Sequence, residues 1–409
     1  MEELTLLYQS CDALGRPVTR TQRRGTEPAR SDSFSYNGRN ELAAATLGAA
    51  PYGYSYDNIG NRKTARKPAG ELAYAANELN QYTGIEENAE APFAPQYDAS
   101  GNQTLIRTST GIWTVAYNAA NRAVSFTSRD GATVVECGYD YQGRRYMKKV
   151  TQNGTVTSHE RYLYRGYLQI AALDMLDSRN VLRTLLWDPL EPTATRPLAL
   201  AQDASLYCYG MDFNKNVTEV FDAQGNVAAA YDYSPYGQAA STGDLVQPVQ
   251  WSAEMHDEEP ALVYYNYRFY NPRDGRWINR DPIAEQGGWN LYAFVGDTPI
   301  LKTDILGRQF PPGSAGVINN AIKSAAINAT RNVGLNQCDA KERVSSKNCC
   351  VIYYCILKQH IYFINNIQGN FICKNCNELK EETLKYGGMY PACDPHFIRE
   401  TIYIPSIKK

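Results

Sequence analysis

The chain has 409 residues, with 41 Lys and Arg against 43 Asp and Glu and a formal net charge of −2. This length allows two or three domains and a large core. The longest apolar run, residues 349–357, is far too short to cross a bilayer, which argues against a membrane-spanning helix. The first residues, MEELTLLYQS, are acidic and lack a stretch of signal-peptide character. We therefore expect a secreted or cell-surface protein that leaves the cytoplasm by another route, or as part of a larger protein.

An internal repeat runs through the first part of the chain. Thirty-one tyrosines and evenly scattered Gly and Asn favour many short strands over helices. Each unit begins with an aromatic residue and Asp or Asn, continues through small residues to Gly or Asn, and ends in a polar strand. Examples are YNGRNEL at 36, YDNIGNRKTARK at 56, YDASGNQTLIRT at 97 and YDYQGRRYMKKV at 139.

The chemistry of one unit predicts a hairpin. Tyr-Asp ends a strand, Asp and the following Gly or Asn form a turn that needs positive φ, and the next strand leaves with alternating side chains. One hairpin cannot bury its face alone, but stacked hairpins can, with tyrosine ladders between neighbours. The pattern therefore predicts a mainly β fold of stacked repeats. Unrelated hairpins in an ordinary sandwich are the alternative.

The stretch 264–307 is dense in aromatics and turn dipeptides, and it holds two aspartates that each open a tight turn, Asp281 and Asp304. Two carboxylates brought together share a proton, so one can activate water while the other protonates a leaving amide. We predict that Arg280 keeps one carboxylate ionised through a bidentate pair. Turn formation alone is the alternative for both aspartates, and Asp297 is an alternative partner carboxylate.

The repeats resemble the YD repeats of Rhs proteins, and residues 226–307 resemble the Rhs repeat-associated core. The matching segments are YDYSPYGQ at 231, RFYNPRDGRWINRDPI at 268, NLYAFVGDTP at 290 and DILG at 304. The resemblance covers residues 1–307. It implies a β-sheet spiral over residues 1–225 that forms a hollow shell, a core that closes one end, and a variable C-terminal domain, commonly a toxin, over residues 308–409.

Rhs proteins with this core are similar in cleaving themselves just after the DxxG element, which here places the cut at Gly307–Arg308. The sequence departs from the commonest pattern at Ala284, Ile305 and Arg308. The resemblance implies a polymorphic toxin of intercellular competition, with an immunity protein and delivery machinery as partners and no cofactor in the shell. The alternative is a structural or adhesive surface protein whose shell binds carbohydrate or a protein partner and whose tail is an inert, cysteine-stapled cap.

Residues 308–409 read as a small α+β domain outside the resemblance. They hold 13 Lys and Arg against 7 Asp and Glu, which indicates an anionic target such as nucleic acid, or an ordinary basic domain. An amphipathic helix is predicted over 313–334 and a second helix over 377–386. The strand-like segments are CCVIYYCIL at 349, HIYFINNI at 360 and TIYIPSI at 401.

Cysteine spacing suggests a metal site in this tail. Two short-spaced pairs of ligands separated by 16 residues match a structural tetrahedral zinc site, formed by Cys373, Cys376, Cys393 and His396. Disulfides among the seven tail cysteines are the alternative in an oxidising compartment. The three other cysteines are expected to be free thiols: Cys11, Cys137 and Cys208. His360 is a candidate for a nuclease-type acid/base role, against the alternative of a histidine without chemistry.

Overall fold

The computed structural model describes residues 5–24, 27–88, 90–189, 196–308, 350–357, 360–367, 390–392 and 400–401, with side chains described only between residues 9 and 308. The chain divides into two compact units. Unit 1 comprises Met1–Tyr36, Ala44–Pro51 and Pro312–Lys409, and unit 2 comprises Asn37–Ala43 and Tyr52–Pro311. The domain boundaries predicted after residues 225 and 307 stay predictions.

Regular structure in the described residues is almost entirely β-strand. The strands are β1 Thr5–Cys11, β2 Pro17–Arg24, β3 Arg30–Tyr36, β4 Leu42–Leu47, β5 Ala50–Tyr56, β6 Arg62–Lys67, β7 Gly70–Ala76, β8 Tyr82–Glu87, β9 Gln96–Tyr97, β10 Gln103–Thr108, β11 Gly111–Tyr117, β12 Ala123–Ser128, β13 Thr133–Tyr139, β14 Arg145–Gln152, β15 Thr155–Arg165, β16 Leu168–Asp174, β17 Val181–Trp187, β18 Pro197–Gln202, β19 Ser205–Met211, β20 Val217–Phe221, β21 Val227–Tyr233, β22 Ala239–Gly243, β23 Met255–Asp257, β24 Leu262–Tyr265, β25 Arg268–Asn271, β26 Arg276–Trp277, β27 Cys350–Leu357, β28 His360–Ile367, β29 Tyr390–Ala392 and β30 Glu400–Thr401. Short 3-10 turns cover Trp251–Ala253, Ala284–Gly287 and Val295–Asp297. The prediction of a mainly β fold is confirmed for residues up to 307.

Unit 1 contains the antiparallel strands β1, β2 and β3, each paired with the next. Strand β30 pairs with β1, and β27 lies between β28 and β29 in a separate three-stranded sheet. Strands β27 and β28 fall on two segments predicted to be strands. The helices predicted over 313–334 and 377–386 lie outside the described residues. No helix in the part of the chain that the structure describes has the length and apolar character needed to span a membrane.

Unit 2 is built from consecutive antiparallel hairpins. Strands β9 to β22 form one fourteen-stranded sheet in chain order, and β5 to β8 pair in the same sequential way. Strands β23 to β26 form a separate four-stranded sheet. Its aromatic residue Phe269 packs edge-to-face on Phe126 of the large sheet, with the ring centroids 5.0 Å apart. The aromatic segment after the repeats therefore packs against the repeat sheet and shares its core.

The repeat turns are each organised by an aspartate or asparagine side chain. In the turn after β5, Asp57 Oδ1 accepts the backbone N–H groups of Ile59 at 3.0 Å and Asn61 at 2.8 Å. Its Oδ2 accepts the side-chain amide of Asn61 at 2.8 Å. Gly60 supplies the positive φ, +84°, that the turn needs. The same arrangement recurs at Asp98, Asp212 and Asp222.

The leading tyrosine of a repeat binds the repeat before it. The Tyr117 hydroxyl donates to the carbonyl oxygen of Gln103 at 2.9 Å, and the Tyr139 hydroxyl donates to that of Ala123 at 2.7 Å. In both cases the acceptor is the first residue after the preceding turn. The same bond is made by Tyr36, Tyr56, Tyr164 and Tyr233. Each bond links two successive repeats, so these tyrosines form the predicted ladder between stacked hairpins.

The cysteine prediction is confirmed for two residues and wrong for one. Cys137 and Cys208 are free thiols, and burial raises the pKa of Cys137 to about 11, so this thiol stays protonated and unreactive. Cys11 is disulfide-bonded. Spacing along the sequence does not show which thiols become neighbours in space, because disulfide connectivity depends on the fold.

Candidate active site

Asp281 and Asp304 meet at a buried arginine, Arg268. The Arg268 Nη2 atom lies 2.8 Å from Oδ2 of Asp281 and 3.5 Å from Oδ2 of Asp304. The Oδ2 atoms of both carboxylates therefore contact the same nitrogen atom of Arg268. All three side chains are buried. The structure thus brings together the two aspartates that the sequence analysis paired.

Tight turns place these three groups. Arg268 opens β25 directly after the turn that follows β24, and it is paired in register with Tyr265. Asp281 follows β26, and its Oδ1 accepts the backbone N–H of Ile283 at 3.0 Å. Asp304 Oδ1 accepts the N–H of Leu306 at 3.2 Å. Each aspartate therefore uses one oxygen to hold its own turn and the other to contact Arg268, so turn formation and a place in the cluster are compatible.

The peptide bond between Gly307 and Arg308 lies on this cluster. Arg268 Nε donates to the carbonyl oxygen of Gly307 at 2.6 Å. The N–H of Arg308 donates to Asp304 Oδ1 at 3.0 Å. Both polar groups of one peptide bond are thus hydrogen-bonded to members of the cluster, the carbonyl oxygen to Arg268 and the N–H to Asp304.

Glycine is required at position 307 on two grounds. Its φ is +69°, in the left-handed region. A Cβ atom there would lie 2.9 Å from the carbonyl oxygen of Tyr265 and 3.0 Å from the backbone nitrogen of Arg268. Both neighbours are backbone atoms that cannot move independently of the strand turn, so any side chain would displace the Gly307 carbonyl from Arg268.

Burial shifts the pKa values of Asp304 and Arg268 in opposite directions, because it disfavours the charged form of each. Burial raises the pKa of Asp304, against the lowering effects of the Arg268 charge and of two backbone hydrogen bonds, and the Asp281 charge raises it further. Burial lowers the pKa of Arg268, while the two carboxylates raise it. Asp281 makes the shorter of the two contacts with the guanidinium.

The position of Arg280 next to Asp281 predicts a pair with a carboxylate, but in the structure a different arginine contacts both aspartates. It is exposed, and its side chain packs beside Gly101, where an added Cβ would be 2.5 Å from Arg280 Cδ. The guanidinium that contacts both carboxylates belongs to Arg268, which the sequence analysis did not select. A signal for it existed: Arg268 sits in the apolar and aromatic run LVYYNYRFY, and a charge inside a buried strand needs a partner.

Asp297, the alternative partner carboxylate, lies in a second buried cluster. The Tyr236 hydroxyl donates to the Asp297 carbonyl oxygen at 3.4 Å. Burial raises the pKa of the Asp297 carboxyl to about 7, against the effect of Arg62 and with that of Glu41. The structure therefore groups Asp297 with Tyr236, Arg62 and Glu41, and it groups Asp304 with Asp281.

The tail site residues cannot be placed in this way. Four candidate zinc ligands lie outside the described residues: Cys373, Cys376, Cys393 and His396. His360 begins β28, but its side chain is not described. Zinc, disulfides and acid/base chemistry in the tail stay predictions. Among the residues that the structure does describe, no three or more His, Cys, Asp or Glu side chains are grouped so that they could hold a metal ion.

Residues 3–300 match the sequence model of the family described as Teneurin YD-shell. Among curated relatives, tRNA nuclease WapA of Bacillus subtilis (strain 168) is 26% identical over 61% of this chain and 10% of its own length. Toxin protein Tse5 of Pseudomonas aeruginosa is 28% identical over 66% of this chain and 24% of its own. Toxin subunit YenC2 of Yersinia entomophaga is 26% identical over 82% and 36%. The chain therefore spans between about a tenth and about a third of these relatives.

Solved structures with a similar fold include the TcdB2-TccC3-TEV complex, with a TM-score of 0.52 at 16% identity over 74% of this chain and 18% of that one. The Tc holotoxin pore of Photorhabdus luminescens with a mutation in TccC3 gives the same TM-score and identity over 75% of this chain and 18% of that one. At this level of identity the likeness concerns the fold alone, and it agrees with a sheet of stacked hairpins.

Proposed function

The chain belongs to the Teneurin YD-shell family, and on that premise we propose that it is the shell and core piece of a polymorphic toxin that cuts itself after Gly307. The family match agrees with the resemblance drawn from the motifs. The observation that carries the proposal is the placement of the Gly307–Arg308 peptide, with its carbonyl on Arg268 and its N–H on Asp304. Two of the similar proteins are named toxins and a third is named a nuclease.

In the proposed reaction, Asp281 is the general base. The Asp281 carboxylate, whose Oδ2 lies 2.8 Å from Arg268 Nη2, takes a proton from a water that attacks the Gly307 carbonyl carbon. Negative charge then develops on the Gly307 oxygen, which already accepts a hydrogen bond from the Arg268 Nε. Arg268 therefore has two roles, since its positive charge lies against the base and its Nε stabilises the oxyanion.

Asp304 is the proposed general acid. Its raised pKa keeps a proton available, and its Oδ1 atom lies 3.0 Å from the nitrogen of Arg308. Attack makes the Gly307 carbon tetrahedral and gives the Arg308 nitrogen a free lone pair. That lone pair accepts the proton of the Asp304 carboxyl group, and the C–N bond breaks. The products are a carboxyl group on Gly307 and a free amine on Arg308. Hydrolysis consumes one water and needs no cofactor in the shell.

The effector freed by this cut is proposed to be residues 308–409. Its 13 basic against 7 acidic residues favour an anionic target, and we propose nucleic acid because the relative WapA is named a tRNA nuclease. His360 is the acid/base candidate, and Cys373, Cys376, Cys393 and His396 are candidate ligands of a structural zinc. Delivery machinery of the Tc type and a cognate immunity protein are the proposed partners, with release from the producing cell.

Mass spectrometry of the full chain tests the self-cleavage. We expect two fragments that divide between Gly307 and Arg308 in the wild type, and one species of 45.8 kDa in Asp281→Asn. Asp297→Asn is the matched control, because it makes the same replacement at another buried aspartate of the core, one that lies in the other cluster. A folded wild-type chain that stays whole would contradict the proposal, as would loss of cleavage in Asp297→Asn alone.

Growth of a bacterial host tests the effector. We expect arrest when the full chain is induced and normal growth when a stop codon follows Gly307. Equal growth of the two strains, at equal amounts of soluble protein, would rule out a toxic tail in that host while leaving the cleavage result unaffected.

A further inference from the structure

The side chain that follows the proposed cut lies on an aromatic ring. The guanidinium carbon of Arg308 is 3.5 Å from the centroid of the Tyr267 ring. The backbone N–H of Tyr267 donates to the carbonyl oxygen of Leu306 at 3.0 Å. Tyr267 therefore contacts the chain on both sides of Gly307, through its backbone before the cut and through its ring after it.

Two residues of the repeat sheet hold the Tyr267 ring. The Arg122 guanidinium lies 4.4 Å from the ring centroid and also donates to the carbonyl oxygen of Asn266 at 2.8 Å. The Tyr167 ring lies 5.6 Å from the Tyr267 ring, and the two hydroxyls are hydrogen-bonded to each other. Arg122 ends the turn before β12, and Tyr167 lies in the turn before β16. The ring is thus held by the turns of two different repeats.

The electron-rich face of a tyrosine attracts a cation, and a planar guanidinium stacks on it with little loss of hydration. With the Arg308 side chain on the ring and the Gly307 carbonyl on Arg268, the peptide between them is held at both ends. The N–H of Arg308 then points at Asp304 Oδ1. An aliphatic side chain at position 308 would lose this contact with the ring and leave one end of the peptide free, while Arg122 would keep its own contact.

We propose that Tyr267 is the subsite for the residue that follows the scissile bond, and that it selects a cationic side chain there. This inference rests on the proposed self-cleavage. Tyr267 is a positioning residue: it aligns the leaving nitrogen with the proton donor and takes no part in bond making. This chain has Arg308 where the commonest Rhs pattern has an apolar residue, and the Tyr267 ring binds that arginine.

The test is the half-time of self-cleavage after cell-free synthesis with a labelled pulse and a chase. We expect Arg308→Leu and Tyr267→Leu each to slow cleavage about two- to fivefold, the size of an exposed cation–π contact. Arg308→Lys and Tyr267→Phe keep a cation and an aromatic ring, so they should cut within about twofold of the wild type. The double variant Tyr267→Leu/Arg308→Leu should be no slower than either single one, because both changes remove the same contact.

The possible results distinguish failure of the Tyr267 subsite from failure of the proposed self-cleavage. A wild-type chain that stays whole overturns both. A wild type that is cut, with Asp281→Asn whole and Arg308→Leu cut at the wild-type rate, overturns the subsite alone. Additive slowing in the double variant also overturns it. Thermal unfolding of each variant in an Asp281→Asn background shows whether a slow variant is folded, and rescue by Arg308→Lys distinguishes positioning from a general packing defect.

Discussion

Arg268 Nε donates to the carbonyl oxygen of Gly307 at 2.6 Å, across 39 residues of sequence. The same guanidinium contacts Asp281 and Asp304. One buried side chain therefore connects both carboxylates to the bond that they are proposed to cut. This contact makes Arg268 the first position to test.

Replacing Arg268 with Gln should abolish cleavage, because the change removes the oxyanion donor and the positive charge that contacts Asp281 and Asp304. Loss of one oxyanion donor alone slows a reaction about 100- to 1,000-fold. It also leaves buried carboxylates without their counter-charge, which should lower the free energy of unfolding by about 3–5 kcal/mol. Urea unfolding in an Asp304→Asn background, which blocks cleavage and keeps the Asp281 carboxylate, measures the second effect.

Arg280→Gln is the matched control for that variant. Arg280 is exposed and lies next to Asp281 in sequence. We expect the wild-type extent of cleavage and a stability within about 0.5 kcal/mol of the wild type. Equal defects in the two variants would show that the role belongs to basic charge in general and not to the buried guanidinium.

Gly307→Ala should slow cleavage and destabilise the core. The left-handed backbone disfavours alanine by about 1–3 kcal/mol, and the added Cβ meets the Tyr265 carbonyl oxygen at 2.9 Å. Gly154→Ala separates the two effects, because Gly154 has a φ of +80° and no atom within 4 Å of its added Cβ. We expect Gly154→Ala to lose about 1 kcal/mol and to be cut normally. Normal cutting of Gly307→Ala would contradict the close packing at the bond.

Tyr117→Phe should lower the free energy of unfolding by about 1–3 kcal/mol, because the carbonyl oxygen of the buried Gln103 loses the hydrogen bond that the Tyr117 hydroxyl donates to it. Tyr141 provides the control, since its side chain is 93% exposed. Tyr141→Phe should change stability by less than about 0.5 kcal/mol. Denaturant midpoints of the two variants give the comparison, and equal midpoints would mean that the tyrosine ladder adds nothing to stability.

Asp297 should make stability fall as pH rises. Its folded-state pKa is raised to about 7, above the ordinary aspartate value of 3.8, so the folded state binds the proton more tightly than the unfolded state. The contribution is complete below the unfolded pKa and is lost as pH rises towards the folded pKa. Linkage puts the loss at up to about 4 kcal/mol between about pH 4 and pH 7.

Asp297→Asn should remove most of that loss, and asparagine tolerates the positive φ of 57° found at this position. Urea unfolding at several pH values, with both chains in an Asp281→Asn background, measures the difference. Asp244→Asn, at an exposed aspartate, should keep the wild-type pH profile. Parallel profiles for the wild type and Asp297→Asn would refute the shift.

The sequence by itself determined the repeat and its turns. Asp57 binds backbone groups two and four residues ahead, and Gly60 supplies the positive φ between them. Such contacts close within five residues, so residue type and spacing are enough to predict them. The chemistry of paired carboxylates likewise predicts that Asp281 and Asp304 act together, and the resemblance to Rhs proteins implies a cut after Gly307.

Only the tertiary structure decided which groups complete the site. Arg280 is adjacent to Asp281 in sequence and exposed, whereas Arg268 is buried and reaches both carboxylates. Asp297 belongs to another cluster, and Cys11 is disulfide-bonded. These relationships join residues that are far apart along the chain. Their distances depend on how the strands pack, and a local pattern of residue types carries no information about that packing.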